Sequence, residues 1–310
     1  MNVVSLLPSA TELVYALGID PVAVSHECDW PPEAAEKPTV VRSRIDAEAS
    51  SGDIDEQVQS AEAAGEGVYA IERDALAAAD PDLVVTQGLC DVCAVDEVVV
   101  HDAVADLGID CEVLTVDPHS LADVFDDLRR IGRTTGREDR AEAVVADLQA
   151  RVDAVRERTR DLPDDERPRT AVLDWLDPVM TAGHWMPELV EHAGGEFLLA
   201  AEASTPHEWE TVRETDPDVL VAAPCGFELD QIRENLADLT DRDGFDDLTA
   251  VSEGRAYAMD GHHYVNRPGP RLVDTLEHLA GLLHPDRFET SPADVARPLD
   301  ELRPEPVAGD

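Results

Sequence analysis

One pattern occurs twice in this chain: "AADPDLVVTQGLC" at 78–90 is echoed by "ETDPDVLVAAPC" at 214–225. In each copy a helical segment meets Asp-Pro-Asp, where proline offers no amide hydrogen to continue the helix. An apolar run then reads as a buried strand ending at a cysteine. Helices feeding buried strands imply a parallel sheet, and a repeated pattern implies two similar α/β lobes. The lobe starts match too. Residues 2–7 read as a buried strand, and "TAVLDWL" at 170–176 is the counterpart. "SATE" at 9–12 predicts a capping box, Ser9 with Glu12, opening a first helix that Gly18 ends. "VAVS" at 22–25 is a second strand, and "MPELVEHAGG" at 186–195 is a helix closed by glycines.

The expected fold class is therefore α/β, with two Rossmann-like lobes, an N-terminal one over 1–118 and a C-terminal one over 163–285. Between them, 119–162 reads as a single long connecting helix with Leu, Val and Ile near 3.6-residue spacing; Gly132 and Gly136 are the points where it can bend or break. "DLPDDERPR" at 161–169 is a polar linker, and 286–310 reads as a loosely held, acidic, proline-rich tail.

Charge limits the partners. A net charge of −44, with Lys37 the only lysine, argues against nucleic acid and anionic membrane surfaces. An apolar fraction of 43% argues equally against disorder. An acidic, hydrated surface of this kind suits concentrated salt, where the Debye length is about 3 Å at 1 M, and the chain reads as halophilic. The opening "MNVVSLLPSATELVYALG" has neither a basic n-region nor a long apolar h-region, so a cytoplasmic location is expected as written, and an extracytoplasmic one if the start codon is misassigned. No segment reads as inserted in a membrane.

Five stretches together carry a resemblance: "VVSLLPSATELVYALG", "AVSHECDWPPEA", "DPDLVVTQ", "DPVMTAGHWMPELVEHAGGE" and "NRPGPRLVDTLEHLAGLLHP". With them the chain resembles the cobalamin and iron-siderophore solute-binding proteins of ABC importers, the vitamin B12-binding members above all, over about residues 2–284. The resemblance implies two lobes joined by one long helix, a ligand in the cleft between them, and contacts from loops at the carboxyl ends of the strands. It also implies an ABC permease as partner, docked through acids that fall near Glu97 and at Glu210; in so acidic a chain either is equally a plain surface carboxylate. The chain departs from the family in showing no export signal or lipid-anchor cysteine, and in carrying cysteines in its cleft loops.

Cys28, Cys90, Cys93 and Cys225 all follow predicted strands. Four thiolates can hold zinc or an iron–sulfur cluster, Cys90 and Cys93 alone can form a redox pair, and all four can equally be pocket-lining thiols. Cys111 reads as a small buried hydrophobe. Trp175, Trp185 and Tyr264 offer flat apolar faces to a corrinoid, or ordinary packing. His26, His184, His262 and His263 lie in the same set of loops, as axial ligands to cobalt or iron, polar contacts, or solvated side chains. Arg42 and Arg267 suit a carboxylate, phosphate or amide-bearing ligand; Arg44 beside Asp46 reads as an internal ion pair. No nucleophile elbow, P-loop, dinucleotide fingerprint or HExxH occurs, so catalytic residues are not assigned. Two readings follow: a binding module for a corrinoid or similar metal chelate, with no resident cofactor identified, or a cytosolic metalloprotein with a cysteine-ligated iron–sulfur or zinc site.

Overall fold

The two Asp-Pro-Asp turns set out the frame of the structure. The computed structural model describes residues 1–64, 67–89, 95 and 97–303. It divides into two units, the first comprising Met1–Ala47, Glu56–Ala150 and Arg267–Pro270, the second Glu48–Asp55, Arg151–Asn266 and the chain from Arg271 onward. The lobes are thus not contiguous in sequence, since each unit contains a short segment from the other's stretch of chain.

In the first unit, β1 (Val3–Ser5), β5 (Leu83–Gln87) and β6 (Glu112–Val116) form a parallel sheet in the order β1-β5-β6. Next to β1, a parallel bridge from Val4 to Ala23 leads into β2 (Val24–Ser25), which pairs in parallel with β3 (Thr39–Ser43); β4 (Tyr69–Ile71) closes the edge antiparallel to β3. The helices are α1 (Pro8–Ala16), α2 (Ser51–Ala64), α3 (Arg73–Ala79), α4 (Glu97–Leu107), α5 (Leu121–Thr135) and α6 (Glu138–Thr159). The first turn of α2 and the part of α6 from Arg151 onward belong to the second unit, where Ser51 N–H donates to Asn235 Oδ1 at 3.1 Å.

Helix α1 begins two residues earlier than a Ser9 cap requires. Pro8 occupies the first turn, its fixed φ preorganised for a helix start, and the N-cap is Leu7, which has no side-chain bond to give. The capping box predicted at Ser9 and Glu12 does not form; a serine N-cap forms instead at Ser120, whose Oγ accepts from Asp123 N–H at 3.2 Å and donates to Asp123 Oδ2 at 2.7 Å. The 119–162 stretch is two helices rather than one rod. Leu121, Val124, Phe125, Leu128 and Ile131 make the buried stripe of α5, and Gly136 ends it in the left-handed region at φ 67°. Gly132 serves a different end: a Cβ there would lie 2.7 Å from Ala141 Cβ, so its bare backbone lets the first turn of α6 cross closely.

In the second unit, β9 (Glu196–Phe197), β7 (Arg169–Trp175), β11 (Val219–Ala222) and β12 (Ala256–Met259) run parallel, while β8 (Met180–Thr181), β10 (Thr205–Pro206) and β13 (Ala296–Pro298) pair antiparallel at the edges. Around them lie α7 (Met186–His192), α8 (Trp209–Thr215), three short helices α9 (Leu229–Glu234), α10 (Ala237–Thr240) and α11 (Thr249–Ser252), then α12 (Leu272–Leu283) and α13 (Leu299–Leu302). Leu272, Leu276, Leu279 and Leu283 bury one face of α12, which packs on α7. The expected loose tail is largely built in: Val295, Ala296, Leu299 and Leu302 are buried, and β13 completes the sheet through Ala258 and Arg297.

Each Asp-Pro-Asp turn works the same way. Its first residue, Asp80 or Asp216, takes the left-handed conformation at φ 45° or 41° and closes the helix, a conformation that aspartate tolerates better than most side chains. The second aspartate fastens the neighbouring strand: Asp82 Oδ2 accepts from Asn2 N–H at 2.6 Å, and Asp218 Oδ2 accepts from Arg169 N–H at 2.8 Å. No helix among the described residues is long and apolar enough to cross a membrane.

Candidate functional site

Open α/β sheets place ligand contacts at the carboxyl ends of their strands, and both units carry their unusual side chains there. In the first unit the loop after β2 is fixed at consecutive positions. Cys28 is buried against Val24, Ala34 and Tyr15. Its Sγ accepts from Thr11 Oγ1 at 3.0 Å, and burial pushes the thiol up to about 12. Burial thus holds this thiol in its neutral form, against the pull of the Thr11 hydroxyl, packed among apolar side chains. Asp29 follows, and both its oxygens accept from Arg267, whose guanidinium is 4% exposed; Glu12 Oε1 stands 3.5 Å from the same group. Arg267 is therefore a buried counter-ion within the first unit, its charge committed to two acids rather than to a ligand. Trp30 comes next and is 48% exposed, the one large aromatic in that state among the described residues.

His26 precedes this loop, with its ring 5.9 Å from that of Tyr69 and its Nε2 3.6 Å from Glu27 Oε1. Arg42, on β3, is in an exposed ion pair with Glu72, just past β4. Cys111 is half-buried against the core formed by Val4, Val84 and their neighbours. Cys90 and Cys93 lie outside the described residues. Glu97 opens α4, followed by Val98 and Val99, which are exposed.

In the second unit, Trp175 at the end of β7 is half-buried, 5.2 Å from the Phe227 ring, with its Nε1–H donating to Asp177 O at 3.1 Å. Trp185 is not an open face. It is 6% exposed and its Nε1–H donates to Val265 O at 2.9 Å, so it is part of the core; His184 stacks on it at 5.5 Å with φ 52°. Asp174 is buried and accepts from Ser204 Oγ at 2.9 Å, and desolvation pushes its carboxyl up to about 6. Cys225, half-buried after β11, donates its N–H to Asp174 O at 2.9 Å. Glu210 on α8 is paired with Arg213 one turn on.

After β12 the chain makes a single π-helical turn, Gly261–Val265, that carries His262, His263 and Tyr264 together. Asp260 begins it, accepting from both the backbone and the ring of His263. The Tyr264 ring meets His278 edge-on at 5.3 Å and lies under the Arg271 guanidinium at 5.6 Å.

The model of a family described as periplasmic binding protein matches residues 3–262. The chain belongs to that family. As a periplasmic binding protein it binds a solute and is not an enzyme. Among curated relatives it is 26% identical over 299 residues to an uncharacterized ABC transporter substrate-binding lipoprotein, YvrC, of Bacillus subtilis, covering 93% of this chain and 81% of that one. Among solved structures it is similar to a periplasmic haem-binding protein from Pseudomonas aeruginosa, at a TM-score of 0.70 and 22% identity, covering 95% of this chain and 96% of that one. It is similar also to the periplasmic vitamin B12-binding protein of Vibrio cholerae, at 0.64 and 19%, covering 91% and 96%. These likenesses establish the fold of this periplasmic binding protein.

Two residues that sequence reasoning passed over stand out in this frame. Trp30 was quoted only within a motif, and Asp260 was one acid among many. The signal for Trp30 was the "DWPP" context, in which flanking prolines restrict the chain around an aromatic side chain.

Proposed function

We propose that this periplasmic binding protein is the solute-binding component of an ABC importer, and that its solute is a metal chelate of the corrinoid type. The observation that carries the ligand class is Trp30. Its chain neighbours are fixed by Cys28 in the core and by the Asp29–Arg267 pair, so the backbone that carries this exposed flat surface is anchored after a parallel strand. An exposed indole suits a large planar ligand because it offers a wide apolar face with few rotatable bonds to order on binding. Two structural relatives, a vitamin B12 binder and a haem binder, support the same class. The permease side of the reading is supported by the name of the Bacillus relative and by Glu97, set beside exposed Val98 and Val99; Glu210 is the matching candidate in the second unit. An importer's binding component works outside the cytoplasm, the second of the two locations left open by the sequence, and cell fractionation tests that.

Titration with cyanocobalamin, followed by tryptophan fluorescence in concentrated salt, tests the ligand class. Saturable quenching is expected, with affinity falling at least tenfold in Trp30→Ala at unchanged melting temperature. Absence of any binding by the wild-type protein rejects the corrinoid.

A further inference from the structure

A buried carboxylate ordinarily keeps a cation beside it, and Asp174 does not. It lies one residue from the end of β7, 8% exposed, and among the described residues no arginine, lysine or histidine pairs with it. Its side-chain partner is Ser204, whose Oγ–H donates to Asp174 Oδ1 at 2.9 Å. An asparagine in the same place could accept that bond without carrying a charge, so the bond alone does not call for aspartate.

Ser204 is fixed from both sides. Before it, a Cβ at Gly183 would lie 2.3 Å from Ala203 C, so only glycine lets residues 183 and 203 cross there, and His184 N–H donates to Glu202 O at 3.1 Å. After it, Thr205 opens β10 in register with Thr181 of β8. The pair therefore keeps one polarity as well as one place. The serine proton is engaged on Oδ1, and what both side chains still offer is lone pairs, a surface that only accepts. Such a surface attracts N–H donors and repels carboxylates.

Metal chelates differ in their periphery: haem carries carboxylates, and cobalamin carries primary amides. Both arginines that the sequence offers to an anionic solute are already paired with acids, Arg42 with Glu72 and Arg267 with Asp29 and Glu12. Asp174 stands at the carboxyl end of its strand, where open α/β sheets contact ligands. We infer that Asp174, oriented by Ser204, is a specificity-determining residue that selects a chelate with primary amides on its periphery over its carboxylate counterpart. The inference rests on the chelate reading above and narrows it to amidated chelates.

The probes are cyanocobalamin, its monocarboxylic acids, each with one peripheral amide hydrolysed, and haemin. Titrations of the full-length protein at neutral pH in concentrated salt screen the long-range repulsion of the acidic surface, leaving contacts at the site to decide. The wild type is expected to bind cyanocobalamin about tenfold more tightly than at least one of the acids. Asp174→Asn should reduce that preference to within about threefold with no fall in melting temperature, because its amide can donate to a carboxylate. Ser204→Ala should weaken the preference without abolishing it, since the carboxylate remains. A purely structural role for Asp174 would leave the ratio of the two affinities unmoved. Equal binding of cyanocobalamin and every acid by the wild type overturns the inference and leaves the chelate reading standing, and so does an unchanged preference in Asp174→Asn. Binding of haemin but of no cobalamin has the same meaning. Binding of neither overturns both.

Discussion

The two Asp-Pro-Asp frames agree almost atom for atom, and the loops beyond their strands do not. In both units the second aspartate exchanges two bonds with the residue that leads the neighbouring strand: Asp82 with Asn2, Asp218 with Arg169. Even the side chain of that leading residue does the same job, Asn2 Nδ2 donating to Asp80 O and Arg169 Nη1 to Asp216 O. The second unit pins its turn further, as Asp216 also accepts from Thr249 N–H and Oγ1 and so caps α11. Past the strand ends the first unit presents an exposed indole on a loop fixed by ions, and the second a pair of imidazoles on a π-helical turn. The repeated frame fixes where loops emerge, and each unit's chemistry is written in loops free to differ.

The strongest way to sharpen the contrast is to remove a tryptophan from each unit. Trp185→Ala should cost about 4 kcal/mol, because it empties a core position and strands a carbonyl partner. Trp30→Ala should stay within about 0.5 kcal/mol of wild type, as an exposed side chain does. Denaturant unfolding of both variants in the same concentrated salt decides the matter, and equal losses would break the assignment of one to core and the other to surface.

Acidity provides a second contrast. The Asp174 carboxyl is raised from 3.8 to about 6 by burial. The folded chain therefore holds a proton there that the unfolded chain has already released, so this group lowers stability as pH rises from about 4 to about 6. The penalty, up to about 3 kcal/mol, is then complete at neutral pH. Asp174→Asn should remove that slope and be more stable than wild type at pH 7, read from melting temperatures across the window. Asp127 in the first unit is raised in the same direction by burial, against its pairing with Arg130, and is unchanged in the variant, so the difference between the two curves reports Asp174 alone.

The smallest test addresses the frame itself. Asp218→Ala leaves the partly buried Arg169 amide without its partner and should cost about 2 kcal/mol; Asp82→Ala exposes the Asn2 amide to water and should cost under about 1 kcal/mol. Equal costs would mean that the two turns carry equal loads despite their different burial.

Much of this was legible in the chain. Proline and aspartate specify the turns through local conformational preference, and Gly136 marks the helix break for the same reason. Local signals misled where two competed: "PSATE" offers both a proline start and a serine cap, and the proline prevails. The burial of loop residues was not legible. Arg267 and Asp29 are 238 positions apart, and nothing near either says that one will neutralise the other. Trp185 and Trp30 likewise look alike in the sequence, and only their burial, 6% exposed for one and 48% for the other, separates them.

The Arg267 ion cluster also bears on how the protein is made. Glu12 and Asp29 emerge from the ribosome early, while their cation is the 267th residue to be joined. Until then Glu12, buried at 4% exposure in the finished protein, has no positive partner of this kind to justify its place. The N-terminal unit thus cannot complete itself in the order of synthesis, as domains ordinarily do. Its last piece arrives when most of the second unit has already been translated, so the first unit closes late although its strands are made early.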